Sequence, residues 1–127
     1  MLESTFNTQA LIDAQWITPS RTFAVRSPYS GAVIAEVADC GEAEARRAIE
    51  AAVRAFESWR STTAYERAAR LERWHDLILR DEASIARMIA LETGKPLFEA
   101  AGEVRYAVNF VKWYAEEAKR IYGETVP

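Results

Sequence analysis

From Pro96 to about Tyr122 the chain writes a single long helix that is apolar on two sides, and a folded protein has to cover both. One side steps by alternating fours and threes through Ala100, Val104, Ala107, Val111, Tyr114, Ala118 and Ile121. The other is an aromatic row of Tyr106, Phe110 and Trp113. The three shorter helices and the strands expected upstream suffice for one side, so the pattern points to a larger parent protein.

Upstream of this helix the hydrophobic period changes once, at Asp39, from two to 3.6. Residues 1–9 carry no period and read as a loose terminus. Leu11–Ile17 and Thr22–Arg26, separated by the breaker Thr18-Pro19-Ser20-Arg21, predict two strands joined by a short turn. Ser27-Pro28-Tyr29-Ser30-Gly31 predicts a second turn, in which proline presets the backbone and glycine takes a positive dihedral, before a third strand over Ala32–Val37.

Beyond the switch, Asp39 and Glu42 have the spacing of a capping box. The helix after them gathers Ala45, Ala48, Ile49, Ala52, Val53 and Phe56 on one stripe. Thr63 and Glu66 predict a second capping box, ahead of a helix that presents Leu71, Trp74, Ile78 and Leu79. A shorter helix from about Asp81 to Glu92 turns Ile85, Met88 and Ile89 inward, Gly94 stands where a left-handed cap is expected, and Pro96 suits the first turn of the last helix. There is no internal repeat, low-complexity tract or linker, so the expectation is one structural unit, with three strands leading into a mainly helical body.

Composition narrows the function classes. With 50% hydrophobic and 28% charged residues spread along 127 positions, the chain reads as ordered and soluble. Its net charge of −3, with basic and acidic residues interleaved, argues against nucleic acid as a partner. No apolar run is long enough to span a bilayer, and Met1-Leu2-Glu3-Ser4-Thr5-Phe6 lacks the pattern of a secretory signal, which suggests a cytoplasmic address and no membrane partner. A single cysteine, Cys40, allows neither an internal disulfide nor a cysteine-based metal cluster, and it reads as a small buried or half-buried thiol near a helix start.

Several residues invite a chemical reading that the spacing does not support. Gly94-Lys95 lacks the earlier glycine of a phosphate loop and is followed by Pro96 in place of a hydroxyl residue, so it reads as a helix-break-helix corner. His75, the one histidine, has no serine or cysteine partner nearby and no second histidine at ligand spacing. The neighbouring carboxylates Asp81-Glu82 and Glu116-Glu117 point about 100° apart on a helix and do not face each other as an acid/base dyad. From pattern alone the row Tyr106, Phe110, Trp113 reads as core, with Asn109 its polar exception.

Taken together, Glu92-Thr93-Gly94-Lys95-Pro96, the run Glu99-Ala100-Ala101-Gly102-Glu103-Val104-Arg105-Tyr106, the stretch from Phe110 to Arg120 and the close Tyr122-Gly123-Glu124-Thr125-Val126-Pro127 resemble the aldehyde dehydrogenase superfamily, and most of all its succinate-semialdehyde branch. The resemblance extends back to Leu11. Leu11–Ile17 is similar to the family's opening Ile-Asn-Gly-Glu-Trp-Val, with Asp13-Ala14 where Asn-Gly is usual, and Ser27-Pro28-Tyr29-Ser30-Gly31 is similar to its Asn-Pro-Ala-Thr-Gly turn.

The resemblance implies an α/β fold, the N-terminal part of a Rossmann-like cofactor-binding domain cut before its parallel sheet is complete. It implies oxidation of an aldehyde, succinate semialdehyde in the branch named, by NAD or NADP in a homo-oligomer. A cysteine thiolate attacks the aldehyde, an oxyanion hole holds the developing charge, hydride passes to nicotinamide and water releases the acid. The residues for those steps belong to later segments of the family, so no catalytic and no cofactor-binding residue is expected here and no cofactor is expected to bind this chain alone. Tyr106, Asn109, Phe110 and Trp113 correspond to the helix that lines the substrate tunnel. The Arg26 main chain and the Glu92 side chain match places where many members hold a structural cation with hard oxygen ligands. Two classes of function follow: a segment of an aldehyde-oxidising enzyme, inert in isolation, or a non-catalytic binding module that associates through the two-sided long helix.

Overall fold

The computed structural model describes residues 7–18 and 20–126. The first six residues of the expected loose terminus, Pro19 of the breaker and Pro127 lie outside them. Four short strands lead into four helices, β1 (Ala10–Ile12), β2 (Gln15–Ile17), β3 (Thr22–Arg26) and β4 (Val33–Ala38), then α1 (Glu42–Trp59), α2 (Ala64–Arg80), α3 (Glu82–Thr93) and α4 (Leu97–Glu117), which tightens into a 3-10 turn over Ala118–Arg120. Strands leading into a mainly helical body are what the period switch predicts. The chain divides into two compact units, one of residues up to Ser61 with Leu91–Gly94, the other of Thr62–Ala90 with Lys95 onward.

In the first unit the expected strand over Leu11–Ile17 is a hairpin. β1 and β2 pair antiparallel, Leu11 opposite Trp16, around the two-residue loop Asp13-Ala14. Both loop residues are left-handed, with φ of 56° and 58°. A right-twisted ribbon demands this of a two-residue loop, and it is why Asn-Gly dominates such loops. The period-two pattern ran straight through the turn because neither Asp13 nor Ala14 announces it. Alanine is the strained member. Ala14→Gly is expected to stabilise the chain by about 1 kcal/mol, read as a rise in melting temperature.

β3 pairs with β4 and not with the strand before it, with an irregularity between Val25 and Arg26. Its turn forms as the sequence predicts: the Ser27 amide donates to Ala32 O at 2.9 Å, the Gly31 amide to Ser27 O at 2.8 Å, and Gly31 takes φ 71°.

The first helix begins later than Asp39 and Glu42 suggest. Gly41 is its N-cap, and Glu44 Oε2 accepts the Gly41 amide at 2.8 Å, so the acidic partner is Glu44. α1 lies against β1, and the buried residues of the two elements are Ala51 and Ile12. Arg54 Nη2 sits 3.0 Å from Asp13 Oδ2 on the hairpin loop. The expected stripe is not buried. Ile49, Val53 and Phe56 are 64%, 61% and 56% exposed. Amphipathicity identifies the apolar face of a helix but not what covers it, and here the hairpin meets the opposite face.

The second unit is built on α2, α4 and most of α3. α2 starts at the capping box read from the sequence: the Thr63 amide donates to Glu66 Oε2 at 2.7 Å, and the Glu66 amide to Thr63 Oγ1 at 3.2 Å. The Thr63 amide, followed by the Thr63 hydroxyl, holds the Glu66 carboxyl below its ordinary value of 4.5. A carboxyl lowered by folding favours the native state above its unfolded pKa, and that contribution is lost as pH falls through the lower folded value. Thr63→Ala, which removes the side-chain half of this cap and leaves the amide, is expected to cost about 1 kcal/mol in melts. Acid melts from pH 5 downward, compared with those of Glu66→Gln, should show a shallower decline in the variant.

The core of this unit is made of small side chains. Ala86, Ala100 and Val104 form its centre, with Ile78, Ile85, Ile89, Ala90 and Ala101 packed around it. Ala68 and Ala115 are also fully buried. Alanines at the contacts let α2 and α4 run close together. The α2 face is partly as expected, Leu71 and Ile78 half-buried but Trp74 and Leu79 turned outward, and Ile85, Met88 and Ile89 of α3 are half-buried. On α4 the buried residues are Ala100, Val104, Val108 and Ala115, while Ala107, Tyr114 and Ile121 are exposed. Val111 and Ala118 of the predicted stripe are half-buried as expected, while the members reached by steps of three, Ala107, Tyr114 and Ile121, fall to the side of the buried face.

Ion pairs join the helices at positions remote in sequence. Arg105 Nη2 lies 2.8 Å from Glu82 Oε1, and Lys119 Nζ 3.0 Å from Glu72 Oε1. The bond to Glu72 raises the Lys119 pKa, and Lys119 in turn holds the Glu116 carboxyl below its ordinary value. The carboxylate pairs flagged in the sequence are engaged as expected of helix-end charges: Asp81 with Arg80, Glu82 with Arg105, Glu116 with Lys112 and Lys119, Glu117 with Arg120.

Candidate functional site

The long helix starts where the backbone cannot continue α3. Gly94 takes φ 75°, and Pro96 is the N-cap of α4, one position before the first-turn place expected of it. Glu99 in the first turn complements the positive end of the helix, and Lys95 pairs with Glu103.

At 100° per residue Tyr106, Asn109, Phe110 and Trp113 share one side of α4, about half a turn from Val104, Val108 and Ala115. The structure brings these four sequence-predicted positions together and points them outward. Tyr106 is 67%, Phe110 48% and Trp113 65% exposed. The core role that pattern alone gives this row is not its role in this chain. Tyr106 and Phe110 stack edge to face, centroids 5.0 Å apart and planes at 82°. This stacking fixes one ring against the other. The result is a stiff apolar wall with one amide, from Asn109, able to donate and accept. Its polar handles are the Asn109 amide and the Tyr106 hydroxyl, and none of the four side chains is ionised at neutral pH.

Arg26 and Glu92 both belong to the first unit. Arg26 ends β3 and its guanidinium donates to Gly31 O at 3.1 Å, while Glu92 is exposed near the end of α3. The turn after Arg26 and the corner after Glu92 meet, since a Cβ built on Gly94 lies 3.1 Å from Pro28 Cγ. Among the described residues no group of three or more His, Cys, Asp or Glu side chains is placed to hold a metal ion.

Cys40 is exposed ahead of α1, against the buried or half-buried thiol expected, because α1 begins only at Glu42 and its hairpin contact lies further along. His75 is half-buried, with Nδ1 2.9 Å from Asp76 Oδ1. The sequence did not reveal the outward stripe of α1 or the bridges from Glu82 to Arg105 and Glu72 to Lys119. No local period signals a contact between residues so far apart in the chain.

Residues 16–127 match the aldehyde dehydrogenase family. The chain belongs to that family. It is 48% identical over 124 residues to a glutarate-semialdehyde dehydrogenase of Pseudomonas aeruginosa, covering 96% of this chain and 26% of that protein. The succinate-semialdehyde dehydrogenase structure from Burkholderia pseudomallei superposes with a TM-score of 0.93 at 43% identity, over 100% of this chain and 27% of its own. A betaine aldehyde dehydrogenase of Staphylococcus aureus, solved in complex with NAD+, superposes with a TM-score of 0.89 at 32% identity, over 94% of this chain and 25% of its own. The chain thus spans about a quarter of the length of the relatives it matches, and its strands and helices match the N-terminal part of the aldehyde dehydrogenase fold.

Proposed function

We propose that these residues form the N-terminal portion of the cofactor-binding domain of an NAD(P)-dependent aldehyde dehydrogenase. Its substrate is a semialdehyde with a distal carboxylate, succinate or glutarate semialdehyde, which it oxidises to the dicarboxylic acid. The observation that carries the reading is the outward wall of Tyr106, Asn109, Phe110 and Trp113 on α4, in a chain of this family. A short aliphatic aldehyde is suited by an apolar wall that excludes water along its path, with one amide to orient the carbonyl or its hydrate.

The fit to a dinucleotide is poor within the described residues. The sheets are two antiparallel hairpins, and no glycine-rich turn links a parallel strand to a helix as a pyrophosphate cradle requires. No step through nicotinamide is therefore assigned to these residues. Their share of the reaction is to shape the approach of the substrate.

The reading is tested by replacing the matching quarter of the P. aeruginosa glutarate-semialdehyde dehydrogenase with this chain. The chimera is expected to reduce NAD or NADP in the presence of the semialdehyde, and Trp113→Ala in it to raise KM more than it lowers kcat. A chimera that melts cooperatively but oxidises nothing would favour a non-catalytic binding module. The chain by itself is expected to give no heat of binding with either cofactor in calorimetry, and saturable binding would place cofactor contacts within it.

A further inference from the structure

We draw no further inference here: the strongest candidate, the exposed apolar face of α1 formed by Ile49, Val53 and Phe56, carries nothing because nothing in the structure shows what covers it.

Discussion

Val108→Asp is expected to unfold the helical unit, whereas Ala107→Asp, one residue earlier, leaves its melt almost unchanged. Val108 is 2% exposed on the buried face of α4, and Ala107 faces solvent. A carboxylate at position 108 would stand on the buried face of α4 that Val104 and Ala115 share, so it must enter the interior neutral or break the packing. The cost is about 4 kcal/mol or more, comparable with the whole stability of a small domain. At position 107 the same side chain stays hydrated, and the change is limited to helix propensity, about 0.5 kcal/mol. Urea melts followed by far-ultraviolet circular dichroism read both. Equal loss from the two variants would show that α4 is rotated toward the face through Ala107, Tyr114 and Ile121.

That pair of residues also shows how much of the fold was legible beforehand. The existence of α4, its proline start and its aromatic side follow from local chemistry, and the structure reproduces them. Its buried face does not follow, because stepping from Val104 by three to Ala107 or by four to Val108 gives equally regular stripes. Tertiary packing against α2 and against Ala86 of α3 decides between them. The Thr63–Glu66 box was legible because both partners lie within one turn. The hairpin at Asp13-Ala14 was not, since its left-handed backbone is held by pairing between β1 and β2 against the preference of alanine. The candidate wall was legible as a spacing, 106, 109, 110 and 113, while its exposure was not: period alone treats a covered and an uncovered apolar face alike. The same gap accounts for α1, whose stripe is plain in the sequence and is exposed while the helix lies against β1.

Gly94→Ala is the second variant with a large expected effect, and Gly31→Ala is its control. Both glycines are left-handed, with φ of 75° and 71°, so an alanine at either incurs the steric cost of that region, about 1 to 2 kcal/mol. Their surroundings differ. A Cβ at Gly31 meets nothing within 4 Å, whereas one at Gly94 lies 3.1 Å from Pro28 Cγ. The proline ring cannot swing aside as a flexible side chain would, because the Ser27 and Gly31 amide bonds close the turn around it. Gly94→Ala should therefore cost about 1 kcal/mol more than Gly31→Ala, roughly 2 to 3 kcal/mol in all. The excess should vanish when Pro28→Ala is combined with Gly94→Ala, a coupling that a double-mutant cycle of melts isolates. If the two glycine variants lose the same stability, the turn and the corner do not touch in solution, and Arg26 and Glu92 lose the contact that brings their segments together. If the excess appears and Pro28→Ala removes it, Gly94 at the end of α3 is held from the β3–β4 turn, which explains why a glycine is needed at a position where asparagine could have supplied the left-handed cap but not the space.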